Sequence, residues 1–257
     1  MKRYGLIGYP LEHSFSKAYF EEKFRKENRN DVSYENYPIP GIEEFNNLCQ
    51  SVKNLQGLNV TIPYKEQVIK YLDALSDDAR AVGAVNTICI CRRSGKLALV
   101  GHNTDTTGFE KSLLENVPVL PPKALVLGTG GASKAVIHIL KKHDIEIQKV
   151  SRKKGPDTLS YQELTRDIIL SSHLVVNTTP LGMHPHTDEA PGIPYDAVTP
   201  EHYLFDLIYN PPETRFLREG RTRGAYTING KNMLIYQAEA SWLIWNRQDT
   251  LTRSSQP

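Results

Sequence analysis

Residues Ala124–Leu140, ALVLGTGGASKAVIHIL, hold the reading that decides the fold. The apolar run Ala124 to Leu127 reads as a buried strand, and SKAVIHILKKH from Ser133 reads as an amphipathic helix. Gly128, Gly130 and Gly131 fall directly between them, with Thr129 and Ala132 completing the loop. At such a junction a pyrophosphate can rest on backbone N–H groups at the helix N-terminus, where larger side chains would block its approach. Ser133 stands where a dinucleotide fingerprint prefers Gly or Ala, yet it is small enough to keep helix and strand close. A glycine loop alone also suits a plain tight turn. Here a second strand, IEIQKV, ends about twenty residues on, which completes the nucleotide-binding context.

The residues after that second strand carry the choice of nucleotide. A chain that binds NAD places Asp or Glu there against the ribose 2′-OH. This one has Ser151-Arg152-Lys153-Lys154. A guanidinium suits a 2′-phosphate through paired hydrogen bonds, so the sequence favours NADP over NAD, with a solvated basic loop as the plain alternative.

Outward from this segment, apolar runs and helical patterns alternate along the chain, which predicts an α/β fold with mainly parallel sheets. The texture changes near residue 105, and the proline-bearing NVPVLPPK reads as a connector of the kind found between domains. The chain has 257 residues with 39% hydrophobic and 23% charged, enough for two cores. A net charge of +2 with interleaved signs gives no basic stripe, so neither nucleic acid nor a membrane is the expected partner. MKRYGLIGYP reaches turn residues too soon for a signal peptide, and three cysteines without metal spacing suit a reducing cytoplasm. His184 and His186 flank a proline in a loop with no third ligand spaced for a metal, so no metal site is expected. The tail RQDTLTRSSQP is expected to fray.

In GLNVTIPYK, residues 57–65, Leu58, Val60 and Ile62 alternate with Asn59 and Thr61, the pattern of a strand with one dry face. After Pro63, Val68, Ile69, Leu72 and Leu75 recur at helical spacing, which puts Lys65 in a first turn, where the helix dipole disfavours a cation. Asp105 lies just before Thr107 and Glu110, whose T-x-x-E spacing predicts a capping box that starts the next helix without it. Asn86 lies in an apolar run, Gln237 on the apolar stripe of the last helix, and Ser14 and Ser16 at the start of another. Taken singly, each has an ordinary structural explanation.

Taken together, these segments resemble the shikimate dehydrogenase family over nearly the whole chain. GYPLEHSFSK, NVTIPYK, GAVNT, HNTDTTG, GTGGAS, SRK, NTTPLGM, DLIYNP and GKNMLIYQA follow one another in the family's order. Lys17 departs from the proline usual after the serine pair, and Ser151-Arg152-Lys153 matches the family's phosphate clamp only through its arginine. The resemblance implies a reversible NADPH-dependent reduction of 3-dehydroshikimate to shikimate, on the route to aromatic amino acids, by a monomer or homodimer. It implies an N-terminal α/β substrate domain, residues 1–104 plus 231–257, and a Rossmann-like NADP-binding domain, residues 105–230. Ser14, Ser16, Asn59, Thr61, Asn86, Tyr209 and Gln237 would hold substrate, and Lys65 and Asp105 would be the catalytic pair. Gly128, Thr129, Gly130, Gly131, Ala132, Ser151 and Arg152 would hold the cofactor phosphates. Asp77, Leu207 and Gly230 would lie near its nicotinamide end. Two alternatives stay open: a relative oxidising quinate or a similar polyol acid, perhaps with NAD, and a non-catalytic NADP-binding regulator.

Overall fold

A computed structural model describes residues 1–11, 14–93 and 96–253. The chain divides into two compact units: Met1–Thr104 together with the chain from Ala238, and Asp105–Gln237. The second boundary therefore falls seven residues later than the expected one between 230 and 231, because the first turns of the last helix pack with the second unit. NVPVLPPK lies inside that unit too, with Val117 in its core, so the prolines link a helix to a strand rather than two domains.

The first unit contains β1 (Lys2–Gly8), α1 (Phe15–Lys26), β2 (Val32–Pro38), α2 (Phe45–Ser51), β3 (Leu55–Val60), β4 (Ala74–Leu75), α3 (Asp77–Val82), β5 (Thr87–Arg93) and β6 (Lys96–His102). Its sheet runs β2-β1-β3-β5-β6-β4. β1 pairs parallel with β2 and β3, but β5 is antiparallel to both β3 and β6. The sheet is thus mixed rather than mainly parallel, since β5 and β6 are too close in sequence for a crossover helix. One consequence governs the site. The C-terminal ends of β1, β2, β3 and β6 and the start of β5 all reach the same edge, as the pairs Gly8↔Pro38, Ile7↔Val60, Asn59↔Thr87 and Thr87↔His102 show.

Both faces of this sheet are covered. Phe45, Val68, Leu58, Ile88 and Val85 pack on one, while Phe20 and Phe24 of α1 and the two tryptophans of the last helix pack Tyr4 and Tyr34 on the other. Trp245 comes so close that a Cβ on Gly57 would lie 2.2 Å from its Nε1, which donates to the Ile88 carbonyl at 3.0 Å. Two expectations for residues 57–75 fail here. β3 stops at Val60, so Ile62 is 72% exposed instead of joining Leu58 and Val60 in the core. The segment after Pro63 forms only a five-residue 3₁₀ turn, Gln67–Tyr71, before β4 pairs with β6. Lys65 precedes that turn, and no α-helix begins there to supply the expected dipole.

The elements that follow are α4 (Thr104–Asn116), β7 (Lys123–Leu127), α5 (Gly131–Lys142), β8 (Glu146–Ser151), β9 (Thr158–Ser160), α6 (Arg166–Leu170), β10 (Leu174–Asn177), β11 (Tyr203–Asp206), α7 (Arg215–Arg221), β12 (Tyr226–Ile228) and α8 (Lys231–Arg253). The second unit's sheet is parallel throughout, in the order β9-β8-β7-β10-β11-β12. That is the doubly wound 3-2-1-4-5-6 arrangement, whose switch point lies between β7 and β10. α4 starts three residues before the expected Thr107, so Thr107 and Glu110 are interior to the helix and make no capping box. Glu110 instead meets His143 and Lys142, at 2.7 and 2.9 Å. α8 extends to Arg253, and the tail expected to fray lies outside the described residues beyond that point.

At the C-terminal ends of β10 and β11, a buried carboxylate ties two loops together. Asp206, fully buried, accepts from Asn177 Nδ2 at 3.0 Å, the Ile208 N–H at 3.0 Å and the Thr214 hydroxyl at 2.6 Å. Burial pushes this carboxyl up to about 6, against the pull of those three donors. In the unfolded chain it ionises near 3.8, so between these values the unfolded state binds fewer protons and stability falls as pH rises. The loss amounts to about 3 kcal/mol at most and is complete above the folded value. Asp206→Asn removes it. Urea unfolding at a series of pH values from 4 to 7 is expected to give a shallower decline for the variant than for the parent; parallel curves would show that Asp206 does not titrate this way.

Candidate active site

The shared strand edge of the first unit gathers Thr61, Lys65 and Asn86, three of the residues expected to meet substrate. Thr61 follows β3, and its N–H donates to the Ile7 carbonyl at 2.9 Å. Lys65, half-buried, is fixed through its own carbonyl, which accepts the Val85 N–H at 2.7 Å and so lies beside the chain leading to Asn86. The Asn86 carbonyl in turn accepts the Val60 N–H at 2.8 Å. Thr61, Lys65 and Asn86 are thus brought together by backbone hydrogen bonds among β1, β3 and the start of β5.

Ser14 precedes α1 without capping it, and its buried hydroxyl has no hydrogen-bond partner among the described residues. A buried hydroxyl without a partner is costly, and a ligand oxygen at this edge would relieve it. Ser16 hydrogen bonds the Tyr34 hydroxyl, whose pKa burial drives upward so that it remains a donor. Tyr34 donates to Asn59 Oδ1 at 2.8 Å.

Asn59 departs from its expected role as a substrate contact. Only 5% exposed, it gives its Nδ2 to the Asn86 carbonyl, Thr87 Oγ1 and Ser241 Oγ at 3.2, 3.2 and 3.0 Å. Both ends of the amide are therefore committed inside the protein. The two-residue alternation suggested an outward face, but the strand is covered on both sides, so its polar residues had to find partners within. Thr87 and Thr104, which with Ser241 complete this network, carried no sequence signal beyond their place in GAVNT and HNTDTTG, and Ser241 carried none. Asp77 is exposed at the start of α3, a position that favours a carboxylate through the helix dipole.

Asp105 and Gln237 are the first and last residues of the second unit. Asp105 is buried in the first turn of α4 and Gln237 in α8, where its amide Nε2 donates to the Leu234 carbonyl at 2.9 Å. Gly108 lets the two helices touch: a Cβ there would lie 2.5 Å from the Met233 carbonyl oxygen and 3.0 Å from Gln237 Cβ. Leu207 and Gly230 are likewise brought together. The Gly230 N–H donates to the Ile208 carbonyl at 3.0 Å, and a Cβ at 230 would strike the Leu207 carbonyl oxygen at 2.0 Å. Tyr209, half-buried, follows on the same loop from Asp206, and burial raises its phenol.

The glycine loop lies at the sheet's switch point. Gly128 has φ +108°, and its added Cβ would meet Thr178 Oγ1 at 2.6 Å, so only glycine fits. Gly130 and Gly131 face space in which an added Cβ would meet nothing within 4 Å. α5, which starts at Gly131, has no side-chain cap and no acidic residue in its first turn. An uncapped positive helix end with open room before it fits a dinucleotide pyrophosphate. Ser133 explains its own tolerance here, since its hydroxyl folds back onto the Gly130 carbonyl at 2.6 Å.

After β8, the Ser151 hydroxyl donates to the Lys153 carbonyl at 2.5 Å and shapes the turn. Lys154 pairs with Glu163, whose carboxyl falls to about 2 under Lys154 and the Ser160 backbone and hydroxyl. Arg152 and Lys153 are exposed and have no carboxylate partner among the described residues. His184 and His186 join no group of potential metal ligands, and no such group of three occurs among the described residues. No helix among the described residues is long and apolar enough to cross a membrane.

Comparisons with known proteins agree with this layout. Residues 6–88 match the family model described as the shikimate dehydrogenase substrate binding domain. A shikimate dehydrogenase (NADP(+)) of Carboxydothermus hydrogenoformans is 38% identical, covering 94% of this chain and 90% of its own. The crystal structure of shikimate 5-dehydrogenase from Thermus thermophilus, in complex with NADP(H) and shikimate, matches with a TM-score of 0.82 at 30% identity, over 95% of this chain and 93% of that one. A quinate dehydrogenase from Corynebacterium glutamicum in complex with NAD matches with a TM-score of 0.84 at 27% identity, over 95% and 93%. With a mixed sheet in its first unit, a doubly wound parallel sheet in its second, and this identity sustained along its length, the chain belongs to the shikimate dehydrogenase family.

Proposed function

We propose that this protein is an NADP-dependent oxidoreductase that reversibly reduces 3-dehydroshikimate to shikimate in aromatic amino acid biosynthesis. One observation supports the reading: Thr61, Lys65 and Asn86 lie close together at one sheet edge of the first unit, at strand ends of the kind where open α/β sheets bind ligands. Ser14, Ser16, Thr61 and Asn86 would supply hydroxyls and an amide suited to substrate hydroxyls and a carboxylate, and the family resemblance adds Gln237 and Tyr209 of the second unit to the substrate contacts. Asn59 acts behind them rather than on the substrate.

When bound, NADPH supplies the hydride that reduces the ketone. The protein's own part is the proton. Reduction leaves an alkoxide, and the Lys65 ammonium gives a proton from Nζ to that oxygen; in the reverse direction the neutral amine takes it back. Asp105 is the second member of the proposed catalytic pair, a carboxylate suited to a substrate hydroxyl. The glycine loop Gly128–Ala132 would hold the pyrophosphate, and Arg152 would hold the 2′-phosphate through its guanidinium. Leu207 and Gly230 of the second unit, and Asp77 of the first, would be the residues toward the nicotinamide end, as the family resemblance implies. Three cysteines, none in a disulfide, suit a reducing, cytoplasmic setting, and the active species is a monomer or homodimer.

The deciding assay follows NADPH absorbance with shikimate and quinate, each with NADP and NAD. Shikimate with NADP is expected to be the preferred pair; preference for quinate with NAD would favour the polyol-acid alternative, and no turnover with any pair would favour a regulator. Lys65→Ala is expected to lower kcat roughly 10²- to 10⁴-fold with little change in shikimate affinity. Near-normal turnover in that variant would remove Lys65 from the proton transfer. Arg152→Ala is expected to raise KM for NADP about tenfold or more while leaving KM for NAD unchanged. Equal losses for both nucleotides would place Arg152 elsewhere than at the 2′-phosphate.

A further inference from the structure

Thr87 opens β5, is fully buried, and lies opposite both Asn59 and His102 in the sheet. Its Oγ1 stands 3.2 Å from Asn59 Nδ2, 3.2 Å from Asn86 Oδ1, 3.1 Å from Thr104 Oγ1 and 2.7 Å from Ser241 Oγ. Four elements meet at one hydroxyl.

The chemistry of the partners fixes which way each group points. A backbone carbonyl only accepts, so the Asn86 carbonyl compels Asn59 to turn its Nδ2 inward, and that amine also donates to Thr87. Thr87 Oγ1 therefore receives one hydrogen bond and has one proton to give. A backbone N–H only donates, so the Thr104 N–H, 2.7 Å from Asn86 Oδ1, fixes the second amide as well. The Thr104 hydroxyl at 3.1 Å and the Thr87 hydroxyl at 3.2 Å are directed at the same oxygen. With its Oδ1 taken by three donors, Asn86 can meet a ligand only through its Nδ2 hydrogens.

We infer that Thr87 is a positioning residue for the reaction: its hydroxyl holds the Asn86 amide so that this side chain meets the substrate as a hydrogen-bond donor. The recognised group is accordingly an acceptor, a hydroxyl or carboxylate oxygen. The inference rests on the reading above that Asn86 contacts substrate. A valine at 87 keeps the volume and removes the hydroxyl, taking one donor from Asn86 Oδ1 and leaving Asn59 Nδ2 and the Ser241 hydroxyl one partner short. A serine keeps the hydroxyl.

The test compares parent, Thr87→Val, Thr87→Ser and Asn86→Ala by calorimetric titration with shikimate and, separately, with NADP, alongside steady-state kinetics and melting curves. Thr87→Val is expected to weaken shikimate binding roughly tenfold, with NADP binding unchanged within about twofold and Thr87→Ser close to the parent. A general packing role would instead lower the melting temperature without this separation between ligands. If Asn86→Ala weakens shikimate binding and folded Thr87→Val does not, the positioning role is wrong while the reading of Asn86 stands. If Asn86→Ala binds shikimate like the parent, the substrate contact itself is wrong and the inference falls with it. Should Thr87→Val fail to fold, Thr104→Val removes another hydroxyl from the same oxygen while keeping the N–H. It is expected to show the same shikimate-specific loss, and unchanged shikimate affinity there would overturn the proposal.

Discussion

An amide buried in a sheet that is covered on both faces must have all its polar atoms paired, because each unpaired one costs roughly 1–3 kcal/mol. Asn59 sets that demand in the first unit. It is met by Tyr34 from the edge strand, Thr87 and the Asn86 carbonyl from the antiparallel partner, and Ser241 from the last helix. Meeting it draws four separate chain segments to one point. The same bonds set the polarity of Asn86 and engage the Thr104 N–H at the start of α4. The strand edge can then present a defined pattern of donors and acceptors, because the groups behind it have no freedom to reorient.

In the second unit the governing constraint is steric. Gly128 and Gly230 each occupy a place where one added carbon would collide, with Thr178 in the first case and the Leu207 carbonyl in the second. Gly130 and Gly131 are different, because an added carbon would meet nothing. The first pair is needed for the chain to close on itself, the second for something else to approach. Asp206 adds an electrostatic tie at neighbouring strand ends, its carboxylate joining the loops that follow β10 and β11. Glu163 plays a related part near β8 by engaging Lys154, while Arg152 and Lys153 of the same turn are exposed and have no carboxylate partner among the described residues.

Much of this was legible beforehand where local chemistry and fold agree. The glycine loop, the strand before it and the helix after it follow from residue size and periodicity alone, and the structure has them at the stated positions. Lys65 was flagged by a helix that does not form: the apolar spacing of Val68, Ile69 and Leu72 was real, but β4 pairs with β6 and ends the turn after five residues. Capping chemistry misled in a similar way at Thr107 and Glu110. There the Thr104 N–H finds its acceptor in Asn86, eighteen residues back, so the helix starts earlier than any local cap would place it.

The sequence by itself determined the α/β class of the second unit, the place of its glycine loop between strand and helix, and the absence of an acidic residue directly after β8. Those are properties of residue type and short spacing, and they survive any tertiary context. Only the tertiary structure decided that Asn59 faces inward, that Ile62 faces solvent, and that Thr87 stands at the centre of the polar network. Period-two alternation shows that the two faces of a strand differ. What covers each face depends on segments far away in sequence, here a helix some 182 residues downstream, whose Ser241 bonds Asn59.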